Sequence, residues 1–133
     1  MIHNVRASSF ADPIDVRAFD RCKSHGYSDK HCFRYGDNGV GYWGDNTKEG
    51  SGPSCALTPD DMRDEWGSVS AAHLQEVEVT FRDVSVTCQV KDTMPPRAYQ
   101  QAHNGAGIDL NPGAVRALGL EPPIMVDATW EPA

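Results

Sequence analysis

The sequence predicts a mainly β chain that closes into a small six-stranded barrel, with a short helical segment towards its N-terminus. Three observations carry that expectation. Residues 74–81 and 84–92 alternate apolar and polar side chains on either side of Arg82-Asp83, as a hairpin with one buried face does. Further short apolar runs are separated by turn residues, and closing so many short strands into a barrel removes the edges that an open sheet would expose. With 133 residues, the chain suits one domain that buries roughly two-thirds of its unfolded surface, enough for a core without metal or disulfide support.

In chain order, residues 1–11 read as an extended arm, because Ile2 and Val5 are the only strong apolar residues before Phe10. Asp12 then caps a helix, Pro13 fits its first turn, Val16, Phe19 and Cys22 keep helical spacing, and Gly26 ends it. Ser28 caps a shorter segment through Tyr35, closed by Gly36. The expected organisation is therefore an arm and short helices over 1–36, packed through Phe19 and Phe33 on a barrel over 37–133. Asp37-Asn38-Gly39 signals a turn, and Val40-Gly41-Tyr42-Trp43 reads as a strand whose glycines let backbone or ligand approach closely. Gly44 to Ser54 is polar throughout, which predicts an exposed and mobile loop.

Cys55-Ala56-Leu57 returns to the core, and Thr58 caps a helix that ends at Gly67. The acids of its first turn read as solvated, with Asp61 returning a bond to Thr58. The second hairpin strand runs into Lys91-Asp92 and the Met94-Pro95-Pro96 turn, which delivers Asp92 to a rim. Ile108-Asp109-Leu110 sets a second acid between apolar neighbours, just before Asn111 as N-cap, Pro112 as first helical residue and Gly119 as stop. A strand over Ile124 to Trp130 closes the sheet.

Twelve basic against nineteen acidic residues give a net charge of −7, so the field repels phosphate backbones and nucleic acid is not an expected partner. No apolar stretch reaches membrane-spanning length, and MIHNVRASSFADP lacks the apolar centre of a secretory signal. Action at a cell envelope or in a virion would then need a removed signal or another route of delivery. Cys22, Cys32, Cys55 and Cys88 allow buried free thiols, or bridges pairing Cys22 with Cys32 and Cys55 with Cys88. A zinc cluster of Cys22, His25, His31 and Cys32 is disfavoured because adjacent residues point in different directions on a helix, so neither metal nor cofactor is expected.

Four motifs in order resemble the double-psi β-barrels of the RlpA-like and expansin-like family. Val40-Gly41-Tyr42-Trp43-Gly44 is similar to that family's opening strand, Cys55-Ala56-Leu57 to its middle segment, Asp92-Thr93-Met94-Pro95 to its D-x-x-P turn, and Ile108-Asp109-Leu110-Asn111 through Leu118-Gly119 to its I-D-L-S segment and helix. The resemblance covers about residues 40 to 127 and implies a fold that binds or cleaves polysaccharide, with Asp109 similar to the acid that protonates the glycosidic oxygen and Asp92 similar to the rim aspartate. Two features depart from the pattern. The loop after the opening segment offers Asp45 and Glu49 in place of an acid pair, and Ala71-Ala72-His73 echoes a family histidine too near the hairpin to be the same position.

Glycoside cleavage needs a carboxylic acid kept protonated, which apolar flanks favour, and Asp109 has such flanks. The competing reading has Asp109 charged and accepting backbone bonds at the helix start. Tyr42 and Trp43 are candidates for stacking on sugar faces, with Thr93, His103 and Asn104 as polar contacts. Two functions stay open. One is a domain that recognises a cell-wall or peptidoglycan-type glycan and cleaves it through Asp109 supported by Asp92; the other is a non-catalytic structural or adaptor protein, for instance phage-particle or secretion-associated, docking a protein partner through its N-terminal segment.

Overall fold

A computed structural model describes residues 1–99 and 105–133. Six strands close into the expected barrel: β1 (His3–Ser9), β2 (Ser54–Leu57), β3 (Glu76–Phe81), β4 (Val84–Thr93), β5 (Ala106–Leu110) and β6 (Met125–Pro132), in the spatial order β1-β5-β2-β4-β3-β6. The β1–β5 and β2–β4 pairs are parallel, and the other ladders are antiparallel. The β3–β4 hairpin turns at Arg82-Asp83 as its alternation predicts, with Val77, Val79, Cys88 and Val90 inside. Leu57, Ile108, Leu110 and Trp130 complete the centre of the core, each fully buried apolar side chain contributing about 1.5–3 kcal/mol.

Among the described residues five short α-helices decorate the barrel: α1 (Pro13–Ser24), α2 (Asp29–Cys32), α3 (Pro59–Trp66), α4 (Val69–Ala72) and α5 (Pro112–Ala117). Three of their caps follow the sequence, whereas Asp12, expected to cap the first helix, makes no side-chain capping bond. The Ser28, Thr58 and Asn111 side chains each accept an amide of their own first turn, and Gly119, at φ 82°, ends the last helix in the left-handed conformation that glycine takes without strain.

Several expectations are corrected. Residues 1–11 are no arm: His3–Ser9 is a barrel strand held between β5 and β6, so a boundary at residue 36 would cut the barrel. The strand buries Ala7 rather than a large apolar residue, and its alternation is therefore faint. Val40–Trp43 is a turn, with a single bridge from Val40 to Asn46, because Gly41 and Gly44 close it by a backbone bond of 2.9 Å. The polar loop over 44–54 is anchored, since Thr47 and Ser54 are buried and the Asn111 amide donates to the Thr47 and Gly52 carbonyls at 3.1 and 2.8 Å.

Asp61 is buried and bonded to Arg97 at 2.6 Å instead of closing a capping box. Phe19 and Phe33 pack on each other, ring centres 5.0 Å apart, and Phe19 shares a satellite cluster with the Cys22–Cys32 disulfide; neither enters the main core. Phe33 stays half exposed. Cys55 and Cys88 are buried free thiols, not a bridge.

Two register shifts shape the barrel rim, one between Arg6 and Ala7 on β1 and one between Cys55 and Ala56 on β2. Such irregularities re-aim side chains at a strand end. Strict alternation after Cys88 and Val90 would send Asp92 into the core. The shift sets it level with Ala56 instead, and Ala56 is also the register partner of Asp109 on its other side. Two strand spacings, about 10 Å, separate the two acids.

Candidate functional site

Asp92 ends β4 half-buried, and its Oδ1 accepts the amides of Tyr42 at 2.9 Å and Thr93 at 2.8 Å. Burial is the largest influence on this carboxyl and pushes it up to about 6, the two amide bonds opposing and the nearby Asp37 and Asp109 charges adding to the rise. The Tyr42 amide is delivered by the turn over 40–46. Gly41 fits there because it has no side chain: a Cβ would run into the Lys91 carbonyl oxygen. The Gly41 amide donates to the Asp45 carbonyl at 2.8 Å, the Asp45 carboxylate lies 2.5 Å from His73 Nε2, and the Trp43 ring stacks on that imidazole at 4.5 Å. A histidine–carboxylate latch thus holds the turn against the start of the hairpin.

Asp92 lines a cleft of about 590 Å³ between the barrel rim and the N-terminal helices. Phe10, Phe33 and Tyr35 supply aromatic wall, and Asp15 and Asp37 supply two further carboxylates. Asp109 lies deeper. It is only 6% exposed, and the Ser8 hydroxyl donates to its Oδ1 across the β1–β5 pair. Asp12, also buried, takes the Ser9 hydroxyl on Oδ2 at 3.2 Å, while among the described residues no partner reaches Oδ1. Burial raises its carboxyl, and the charges of Asp15, Asp37 and Asp109 add to that.

Of the sequence candidates, Asp92, Tyr42 and Thr93 meet directly, and Asp109 stands behind them. Trp43 packs against the core while Tyr42 is 66% exposed, so of the pair only Tyr42 offers an open face. His103 and Asn104 lie outside the described residues. Sequence reasoning missed Asp12, Asp37 and Phe10, which read as cap, turn and arm, and with them Asp15 and Tyr35, which fall in the two helical segments. It also set aside His73, although its Ala-Ala-His signal was visible. Among the described residues no group of three or more His, Cys, Asp or Glu is placed to hold a metal ion, and no helix is long and apolar enough to cross a membrane.

No family model matches the chain, and no curated protein does. Among solved structures, the Streptomyces papain inhibitor is similar with a TM-score of 0.56 at 15% identity, over 98% of this chain and 93% of that one. At that identity the likeness shows the fold: a mainly β, closed six-stranded mixed barrel with a few short helices.

Proposed function

We propose that the cleft recognises a cell-wall-type polysaccharide, and that Asp92 rather than Asp109 protonates the glycosidic oxygen. One observation carries the reading: a cleft-lining carboxyl pushed up to about 6, with both of its amide bonds on one oxygen, beside aromatic side chains that can stack on sugar faces. The RlpA-like and expansin-like resemblance supports the substrate class. Because Asp109 is buried behind Ser8, the chemistry is that of a single acid. The proton passes from Asp92 to the leaving oxygen as the C–O bond breaks, the sugar's own hydroxyl attacks the anomeric carbon, and the proton it releases returns to Asp92.

A second reading is a non-catalytic protein-binding barrel, as inhibitor or adaptor. It is favoured by the likeness to a papain inhibitor over nearly the whole of both chains, and by exposed Tyr27, Phe33, Tyr35 and Tyr42.

Incubating wild type, Asp92→Asn and Asp109→Asn with purified peptidoglycan and with cellulose, and assaying soluble fragments, separates the cases. Release by wild type should fall about a hundredfold in Asp92→Asn with binding retained, and less in Asp109→Asn. Absence of both release and binding, together with inhibition of papain, would move the conclusion to the second reading.

A further inference from the structure

Two amides hold the Asp92 carboxyl, and one of them comes from a part of the chain that β4 does not control. Thr93 follows Asp92 directly, whereas Tyr42 belongs to the turn over 40–46. That turn is closed on itself: Gly41 donates to the Asp45 carbonyl, Gly44 to the Gly41 carbonyl and Thr47 to the Gly39 carbonyl, at 2.8, 2.9 and 3.0 Å. A unit closed in this way moves as one piece, so its ties to the barrel decide where the Tyr42 amide stands.

His73 ties the turn at two points. Its Nε2 lies 2.5 Å from Asp45 Oδ2, and its ring stacks on Trp43 with centres 4.5 Å apart. The next residue fixes the histidine in its turn. Leu74 adopts φ 65°, a left-handed conformation that residues with side chains rarely take, and its amide donates to the Val90 carbonyl at 2.8 Å. Strain of this kind persists where the surroundings over-determine a position, and it gathers at functional sites. The contacts close a ring that starts and ends on β4, running from Val90 through Leu74, His73, Asp45 and Tyr42 to Asp92.

Resting on the reading of Asp92 as the acid, we propose that His73 is its positioning residue: it holds the turn so that the Tyr42 amide stays on Asp92 Oδ1, and thereby sets how readily that carboxyl gives up its proton. An amide bond favours the charged form, and burial opposes it. Without Tyr42, burial would face one opposing bond fewer, and the carboxyl would rise above about 6 and become a weaker acid. The charges around Asp92 come from Asp37 ahead of the turn and Asp109 on β5, with Asp15 of α1 in the same cleft, while the neighbouring Lys91 reaches the Asn46 carbonyl at 3.5 Å. The His73 and Asp45 side chains are 31% and 24% exposed, so their contact can be cut without opening the core.

Amide NMR spectra recorded across pH read the effect directly, since the Tyr42 and Thr93 amides both follow the ionisation of the carboxyl they bond. In wild type the two should titrate together near 6. In His73→Ala the Thr93 amide should titrate about one pH unit higher, while the Tyr42 amide stops following. Asp45→Ala cuts the same contact from the other side and should act alike, whereas Asp45→Asn keeps an acceptor for the imidazole and should restore most of the wild-type behaviour. A residue that contributes stability alone would leave the folded-state titration unmoved. Where wild type releases glycan fragments, the alkaline limb of its pH profile should move up with Thr93, because the acid acts in its protonated form.

Tyr42 and Thr93 titrating together at the wild-type pH in both alanine variants would overturn the role of His73, with or without glycan cleavage. The expected amide shifts in a protein that releases no fragments would support the positioning and overturn the glycosidic reading of Asp92. A raised Thr93 titration beside an unmoved alkaline limb would likewise remove Asp92 as the acid.

Discussion

Asn111 and Asp12 occupy the same place in two different helices, each as a buried N-cap followed by proline, and they are used in opposite ways. Asn111 makes every bond its amide offers. Its oxygen accepts the Ser54 and Ala114 amides, both at 2.9 Å, and its nitrogen donates to two carbonyls of the loop over 44–54. Asp12 makes no capping bond, buries one oxygen without a partner among the described residues, and has its carboxyl raised. The first is a joint that locks a polar loop to the barrel. The second keeps electrostatic tension, caused chiefly by the burial of its carboxyl, next to a cleft.

Breaking the joint should have the largest effect. Asn111→Ala removes the cap and strands the Ser54 amide and the Thr47 and Gly52 carbonyls, so unfolding in urea should show a loss of about 4 kcal/mol. A loss under about 1 kcal/mol would mean that the loop is held by something other than this residue.

Releasing the tension should do the reverse and depend on pH. The Asp92 carboxyl titrates near 6 in the folded chain, above its ordinary value of 3.8, so ionisation disfavours the fold. The penalty is absent below about pH 4, grows as pH rises through 6, and is complete above it. Asp92→Asn removes it. The variant should match wild type at pH 3.5 and be more stable by about 1 kcal/mol at pH 8, a figure that allows for solvent screening at a half-buried group. A variant less stable at pH 8 would make Asp92 another structural joint.

The smallest change touches the joint from its far side. A Cβ on Gly113 would lie 3.1 Å from the Gly52 carbonyl carbon and oxygen, in a loop that Asn111 prevents from yielding. Gly113→Ala should therefore cost ~0.5–1 kcal/mol in thermal or urea unfolding in spite of alanine's better helix propensity, and in the Asn111→Ala background the cost should vanish.

The same contrast explains what the sequence could tell. Local physics is written locally: the Val77 to Val90 alternation, the Thr58 and Asn111 caps and the Gly119 stop are all readable and all stand. Asp92 is readable as a rim acid because a strand leads to it and a proline turn follows. What escapes such reading is long-range. β1 shows no alternation because its neighbours on both sides, not its own large side chains, hold it. The loop over 44–54 looks free because its polar partner stands at Asn111. Asp12, Asp15 and Asp37 look like a cap, a helical acid and a turn residue, and only the folding of the helices onto the rim makes them one group with Asp92.

The position of β1 also sets a timetable. Ser8 meets Asp109 across 101 residues, and Arg6 pairs with Asp127, so on a ribosome the strand that emerges early finds its neighbours only when nearly all of the barrel has been made. The α1–α2 pair, whose disulfide spans 10 residues, needs nothing so distant. The helical wall of the cleft can therefore exist before Asp92, on β4, has been synthesised, and the acids of the two sides come to line one cleft only once the N-terminal strand has joined the barrel.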